Sequence, residues 1–246
     1  AAMKSKVAFV DMVARYIVKQ KGKRIRPSLV LLTAKACGEI NDSTYRGASL
    51  VEILHTATLI HDDVVDDADT RRGFASINAV WKNKIAVLMG DYMLAKGLLL
   101  SIDNGDFHFL QITSNAVRRM SEAEIVQIAK GRDLDLDEET YFKIISDKTA
   151  SLLSTCCQVG AASVTKEAGM VKTMREFGEN LGMVFQIRDD LLDYTGRKSI
   201  TGKPTGLDLQ EKKLTLPLIY SLAQAPRREA KDIVAIIKNG AKRKEL

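Results

Sequence analysis

The chain has 246 residues, of which 46% are hydrophobic and 28% are charged, and its formal net charge is +6. It can bury a full core, and because it has no run of about eighteen apolar residues and no visible signal peptide, we expect a cytoplasmic rather than a membrane-spanning or secreted protein. Its three cysteines form neither a CxxC motif nor a disulfide framework, and a pI near 9.1 fits an anionic partner, such as nucleic acid, a membrane surface or a phosphorylated small molecule.

Apolar residues recur with helical spacing along almost the whole chain, and no stretch alternates convincingly with period two. The sequence therefore predicts an all-α protein, with helices over residues 4–19, 27–37, 44–67, 85–101, 106–131, 137–163, 167–194, 214–224 and 227–239. We expect Pro27 to open the second helix, Gly38 to close it, and Asn41 or its two successors to cap the third. No repeat or low-complexity linker is visible, so one helical domain over residues 1–246 is predicted.

The third predicted helix ends in HDDVVDDADTRRG, where aspartates are concentrated. Asp62 and Asp66 lie one helical turn apart and share a face, which Asp69 is predicted to continue. A solvated acidic surface is the simpler interpretation of a single DDxxD spacing. The preceding stretch LVEILHTATLI is strongly apolar, however, and this weighs against that interpretation.

A second acidic stretch, QIRDDLLDY, repeats the spacing on the predicted helix 167–194. It contains Asp189, Asp190 and Asp193, and Gln186 lies one turn earlier on the same face, so two such faces could bracket a ligand. Carboxylates that repel one another need a cation, and oxygen ligands without His or Cys favour a hard ion such as magnesium over zinc. Lysines and arginines near both stretches could contact phosphate directly.

Five motifs carry a resemblance to a known family: GKRIRP, HDDVVDDADTRRG, DKTAS, QIRDDLLDY and GKPTGLDLQEKKLTLPLI. In this order and spacing, from about residue 20 to residue 222, they resemble the trans-type polyprenyl diphosphate synthases. The resemblance implies an orthogonal helical bundle around a central cavity, with some C-terminal helices of the family missing here. It also implies a prenyltransferase that joins isopentenyl diphosphate head-to-tail to an allylic diphosphate through a magnesium-assisted carbocation.

The resemblance gives each motif residue a role. Three magnesium ions per active site are implied, with ligands from Asp62, Asp63, Asp66, Asp189, Asp190 and Asp193. The isopentenyl diphosphate site is implied to comprise Lys23, Arg26, His55 and Arg72. The allylic diphosphate site is implied to comprise Arg71, Lys148, Thr149, Gln186, Lys203 and Lys213. The catalytic residues are expected to be Asp62, Asp66, Lys148, Asp189 and Lys203. Without the resemblance, Lys148 and Thr149 would be interpreted as an ordinary helix N-terminus.

Product length is predicted from the turns before Asp62. The growing hydrocarbon is expected to run about 16 Å along the helix, past Thr58, Ala57, Leu54 and Val51. By resemblance, short-chain synthases carry Phe or Tyr four or five residues before the first aspartate, where this chain has Thr58 and Ala57. We therefore predict about six to eight isoprene units, as in quinone side chains. The alternative is that Ala57 only packs against a neighbouring helix.

Other activities and partners stay open at this level. The alternatives are a short-chain (farnesyl or geranylgeranyl) synthase, a class I terpene cyclase and an inactive regulatory subunit. A cyclase would carry a different second motif, and an inactive subunit would have lost aspartates from one of the two motifs. Nucleic acid is not expected, because both acidic faces would repel it. The resemblance implies a homodimer, and IAVLMGDYMLAKGLLLS is either its interface or a core helix. The basic C-terminal helix could touch a membrane surface weakly for product release.

Overall fold

The structure is a computed structural model that describes residues 5–20, 22–71, 73–133, 137–196, 206–210 and 213–239. Apart from short connections and one hairpin, the described residues are helical, which confirms the all-α prediction. The helices are α1 (Ala8–Lys19), α2 (Ile25–Cys37), α3 (Asp42–Val65), α4 (Ile77–Ile102), α5 (Phe107–Asp133), α6 (Glu138–Ile145), α7 (Ser151–Ala162), α8 (Ala168–Thr195), α9 (Leu207–Gln210), α10 (Leu216–Gln224) and α11 (Arg227–Asn239). A π-helical turn, Ser146–Ala150, joins α6 to α7, and the antiparallel strands β1 (Thr70–Arg71) and β2 (Phe74–Ala75) form the hairpin.

Helix ends follow local capping chemistry at several of the predicted positions. Gly38 ends α2 as predicted, and Asn41 caps α3, with its side chain accepting a hydrogen bond from the Thr44 N–H at 3.1 Å. The prediction for Pro27 was wrong, because α2 begins two residues earlier, after Arg24 in the left-handed region at φ 52°. A helix tolerates proline throughout its first turn, where the N–H has no intrahelical partner.

The predicted helix 85–101 begins eight residues earlier in the structure. Ser76 caps α4 by accepting from the Ala79 N–H, and Lys82 then interrupts the helix with φ 72° and ψ 162°. A non-glycine residue in that region of backbone space costs free energy that the surrounding packing has to offset. The residues of α4 before 85 therefore include a break in the backbone, which helical periodicity does not reveal.

The chain divides into two compact units, residues 1–114 with 155–175 and residues 115–154 with 176–246. The first unit has a core built from α1, α3 and α4. Its buried members are Val13, Ala14, Ile17, Ile53, Ala57, Ile60, Ile77, Ala86, Met89 and Met93. By length and hydropathy α4 could cross a membrane, which is weak evidence by itself, and its Ile77, Ala86, Met89 and Met93 side chains pack in this core. The prediction of a single domain stays a prediction.

The second unit has a core around α6, α10 and α11. Its buried members are Tyr141, Ile145, Leu214, Leu218, Ile219 and Ile237. Ile233 and Ile237 of α11 pack against this core, and a weak contact of this helix with a membrane surface stays a prediction. Gly182 of α8 lies against Ala150, where a Cβ atom would collide with the backbone. The missing side chain therefore lets α8 approach the π-helical turn closely.

Candidate active site

The first acidic motif lies at the C-terminal end of α3. The helix ends at Val65, and Asp66 follows as its C-cap, with its N–H donating to the Asp62 carbonyl at 2.8 Å. Asp62 is half-buried and Asp66 is exposed. Asp67 then turns the chain in the left-handed region at φ 47°. The prediction that Asp69 continues the helical face was therefore wrong, because Asp69 lies beyond the helix.

Asp63 and Arg71 are partners in this structure. The Asp63 side chain is buried, and its Oδ1 atom accepts from Nε of Arg71 at 2.7 Å and lies 2.5 Å from Nη2. A buried carboxylate needs such a partner, because an unpaired charge loses its hydration. The sequence assigned Asp63 to metal and Arg71 to the allylic diphosphate. The pair ties the end of α3 to strand β1, and both assigned roles stay predictions.

Two further polar side chains fix the segment after α3. Ser76 Oγ donates to the Ala68 carbonyl at 2.6 Å. The Asn78 amide donates to the carbonyls of Asp63 and Ala68, both at 3.2 Å. These bonds satisfy backbone groups beyond the helix end and hold the acidic segment in place. Sequence analysis missed both residues, although a serine just before an apolar helical pattern is an N-cap signal.

Residues assigned to isopentenyl diphosphate lie in the first unit. Lys23 is exposed before α2, Arg26 is half-buried in its first turn, and His55 is buried on α3. Arg72 lies outside the described residues. Burial raises the pKa of the Cys156 thiol, whereas the positive charge of Arg26 acts to lower it. The guanidinium therefore lies near this core cysteine. Cys156 and Cys157 are buried free thiols, which agrees with the lack of a disulfide framework in the sequence.

The chain-length residues are mostly buried. Val51 and Ala57 are fully covered and Leu54 is 4% exposed, whereas Thr58 is half-buried and its hydroxyl donates to the His55 carbonyl at 2.9 Å. Ala57 belongs to the core between α1, α3 and α4. This supports a packing role for Ala57, and its role in product length stays a prediction.

Lys148 and Thr149 lie in the π-helical turn between α6 and α7. Interpreting them as a helix N-terminus is therefore wrong, since helix continues on both sides. Lys148 Nζ lies 2.5 Å from a Glu124 carboxylate oxygen and donates to Gln127 Oε1 at 2.8 Å. π-Helical turns occur often at functional sites because the extra residue re-aims side chains. Both α5 partners of Lys148 were missed by sequence analysis.

A half-buried ionic cluster holds the start of this turn. Arg119 Nε donates to Asp147 at 2.6 Å, and its Nη2 atom donates to Glu179 at 2.6 Å and to Ser146 Oγ at 3.0 Å. Burial acts to raise the pKa values of Asp147 and Glu179, but hydrogen bonds from Arg119 and its neighbours outweigh it and hold both pKa values below the ordinary range. The cluster joins α5, the turn and α8 of the second unit.

Replacing Arg119 by Met is expected to destabilise the protein by about 3 kcal/mol, because two carboxylates lose their shared partner. The matched control is Arg118→Met, which removes an exposed ion pair with Glu122 and should change stability by less than about 0.5 kcal/mol. Urea unfolding of both variants measures the difference, and equal losses would contradict the prediction.

The same cluster predicts a pH dependence. Since the folded-state pKa values of Asp147 and Glu179 are lowered, their contribution is fully present above the unfolded-state values of about 4 and is lost as pH falls through the folded-state values. The stability gap between wild type and Arg119→Met should therefore narrow below pH of about 4 and stay constant above it. If the difference in unfolding free energy between the two proteins is the same at every pH at which they stay folded, these ion pairs do not contribute to stability.

The second acidic motif lies near the end of α8, and its three aspartates have different surroundings. Asp189 is exposed, whereas Asp190 is buried. Asp190 Oδ2 accepts from the Tyr141 hydroxyl at 2.6 Å, and Oδ1 accepts from the Gln186 amide at 2.7 Å. Burial raises the pKa of Asp190 and the charges of Asp189 and Asp193 add to this, while both hydrogen bonds oppose it.

Asp193 is half-buried and accepts hydrogen bonds from two backbone N–H groups, those of Leu207 at 3.2 Å and Asp208 at 3.1 Å. It therefore fixes the start of α9, where the chain returns to α8. Lys203 lies outside the described residues. Lys213 is exposed, and its backbone N–H donates to the Asp208 carbonyl at 2.8 Å. Tyr141 completes the surroundings of this motif, and no sequence signal pointed to it.

Among the residues that the structure describes, no three His, Cys, Asp or Glu side chains converge as a ready-made metal site. The acidic motifs nevertheless fit a hard cation, because they offer only oxygen donors. Magnesium is commonly held by one or two carboxylates, with water and substrate phosphate completing its shell. Whether the two motifs bind metal, and how many ions, stays a prediction.

Comparisons with known proteins agree with these motifs. Residues 7–246 match the family model for polyprenyl synthetase. The all-trans-nonaprenyl-diphosphate synthase (geranyl-diphosphate specific) of Rhodobacter capsulatus is 40% identical over 231 residues, which are 94% of this chain and 70% of that protein. The octaprenyl diphosphate synthase of Escherichia coli (strain K12) is 37% identical over 238 residues, 97% of this chain and 74% of that protein.

A solved structure is similar over nearly the same span. The polyprenyl synthase of Caulobacter crescentus CB15, crystallised with calcium and isoprenyl diphosphate, has a TM-score of 0.88 and 36% identity, and the match covers 98% of this chain and 74% of that one. Family model, relatives and fold agree over almost the full length of the chain. The chain therefore belongs to the polyprenyl synthetase family and is a prenyltransferase.

Proposed function

We propose that the protein condenses isopentenyl diphosphate with an allylic diphosphate to a linear all-trans polyprenyl diphosphate of about six to eight units. The observation that carries this proposal is the occurrence of both aspartate motifs together with Lys148, Thr149 and Gln186, whose side chains are already ordered by neighbours in the second unit. Of the relatives named above, the octaprenyl diphosphate synthase makes a product at the upper end of this range, and the nonaprenyl diphosphate synthase makes one that is a unit longer.

Each group has a task in this reaction. Asp62, Asp66 and Asp189 would hold magnesium, which when bound neutralises the charge that develops on the departing diphosphate. Lys148 is already held by Glu124 and Gln127, and it would orient the allylic diphosphate. As the allylic C–O bond breaks, the double bond of isopentenyl diphosphate supplies the electron pair for the new C–C bond. Loss of one proton restores an allylic product that is longer by five carbons.

Incubation with labelled isopentenyl diphosphate, farnesyl diphosphate and magnesium tests this function. Linear products of thirty or more carbons are expected. A product that stops at twenty carbons, one unit longer than the farnesyl primer, would favour the short-chain alternative. Cyclic hydrocarbons would favour a class I cyclase, and no turnover would favour a farnesyl synthase or an inactive subunit.

We also propose a cytoplasmic homodimer in which α4 supplies part of the interface. One side of α4 is buried in the core of its unit, but Leu88 is 63% exposed and several further apolar side chains are also exposed. These are Val80, Val87, Leu98, Leu99 and Ile102. Exposed apolar surface on this scale marks an interaction site. The helix would then serve both as a core helix and as a dimer interface, the two interpretations that the sequence left open.

Light scattering at micromolar concentration is expected to give the mass of two chains, and Leu88→Glu is expected to give one, because a charge would be buried in the interface. The control is Val18→Glu on α1, at a position of similar exposure, which should leave the mass unchanged. A wild-type mass of one chain would exclude the dimer.

A further inference from the structure

Four side chains of the second unit form one continuous chain of hydrogen bonds. Tyr141 donates to Asp190 Oδ2 at 2.6 Å, and Gln186 Nε2 donates to Asp190 Oδ1 at 2.7 Å. Thr149 Oγ1 then donates to Gln186 Oε1 at 2.8 Å. This series of hydrogen bonds begins in the apolar core, because Tyr141 is 2% exposed and packs in the cluster of the second unit. It ends at the residue that follows Lys148.

The chemistry of these groups fixes the direction of every bond. Each Asp190 oxygen accepts one hydrogen bond, Oδ2 from the Tyr141 hydroxyl and Oδ1 from the Gln186 amide. The NH₂ group of Gln186 must therefore face Asp190, and its carbonyl oxygen must face Thr149. A carbonyl oxygen only accepts, so Thr149 gives up its single proton to it. The Thr149 oxygen is left with lone pairs alone, which suit contact with an electron-poor centre.

Packing around these four side chains holds their hydrogen bonds in this arrangement. The approach of α8 to the π-helical turn at Gly182 and Ala150 brings Gln186 within hydrogen-bonding distance of Thr149. Tyr141 is an anchored donor, because burial raises the pKa of its hydroxyl and keeps it protonated. Side chains whose partners are also fixed hold a reactive geometry more closely than isolated ones.

We propose that Tyr141 and Asp190 are positioning residues, which orient the Gln186 amide and the Thr149 hydroxyl toward the allylic substrate, and that Asp190 is not a magnesium ligand. This inference rests on the proposed function. It assigns different tasks to the three aspartates of the second motif. Asp189, which is exposed, serves the metal, Asp190 orients Gln186, and Asp193 holds the start of α9.

Neighbouring aspartates provide the test. Asp190→Asn offers one acceptor oxygen where two are needed, so kcat should fall about 100-fold. The magnesium concentration that gives the half-maximal rate should stay within about twofold of wild type. Asp189→Asn should raise that concentration about tenfold or more. Tyr141→Phe removes only the anchoring hydroxyl and should lower kcat about tenfold, with the KM for the allylic substrate unchanged. Tyr220→Phe, at an exposed position of α10, is the control and should match wild type.

A binding measurement separates positioning from folding and from metal binding. Calorimetric titration with an unreactive allylic thiodiphosphate in magnesium should give wild-type affinity for Tyr141→Phe and Asp190→Asn, and weakened affinity for Asp189→Asn. The inference is overturned if Asp190→Asn shifts the magnesium requirement as Asp189→Asn does, or if Tyr141→Phe behaves like Tyr220→Phe. Wild-type protein that neither binds the analogue nor turns over would overturn the proposed function, and this inference with it.

Discussion

Asp62→Ala and Asp189→Ala are each expected to lower prenyltransferase turnover by about a thousand-fold. Each variant removes an oxygen ligand that would help magnesium stabilise the departing diphosphate. Folding should survive, because Asp62 is only half-buried, Asp189 is exposed, and removal of one carboxylate relieves repulsion within its motif. The measurement is the initial rate at saturating substrate, alongside the melting temperature.

Asp103→Ala is the matched control, since this exposed aspartate at the end of α4 belongs to neither motif. Its rate and melting temperature should equal those of wild type. Excess EDTA should abolish wild-type turnover, and added magnesium should restore it. Full activity in EDTA, or an Asp62→Ala rate within about tenfold of wild type, would mean that these carboxylates do not hold a catalytic metal.

Ala57→Tyr is expected to shorten the product by several isoprene units while turnover persists. The ring would occupy the path predicted for the growing hydrocarbon and leave the diphosphate site intact. Because Ala57 is fully buried between α1, α3 and α4, overpacking should also cost about 1–3 kcal/mol of stability. Chromatography of the products gives the length distribution, and urea unfolding gives the stability.

Two further variants separate a tunnel from a packing position. Ala34→Tyr places the same ring at another fully buried alanine, on α2, and should cost stability without changing product length. Thr58→Phe lies at a half-buried position and should shorten the product even if Ala57→Tyr fails to fold. Unchanged product length in both Ala57→Tyr and Thr58→Phe would refute the tunnel path. Wild-type product ending at farnesyl diphosphate would refute the predicted length.

Local features were predictable because they depend on residues close together in the chain. Helical periodicity gave the all-α class, and Asn41 and Gly38 were recognised as caps because capping involves only the next few residues. The two aspartate motifs are also local patterns, since carboxylates one turn apart share a face wherever the helix forms. The sequence by itself therefore determined the helical class, several helix ends and the oxygen-ligand chemistry of the two motifs.

The roles of the individual aspartates were decided by tertiary structure. Asp63 and Asp66 have the same residue type and belong to the same motif, yet Asp63 is buried against Arg71 while Asp66 is exposed. Asp190 differs from Asp189 because Tyr141, 49 residues earlier in the chain, reaches it. Arg119 likewise joins Glu179 across 60 residues. Burial and partner choice depend on which distant residues a fold brings together, and periodicity carries no information about them.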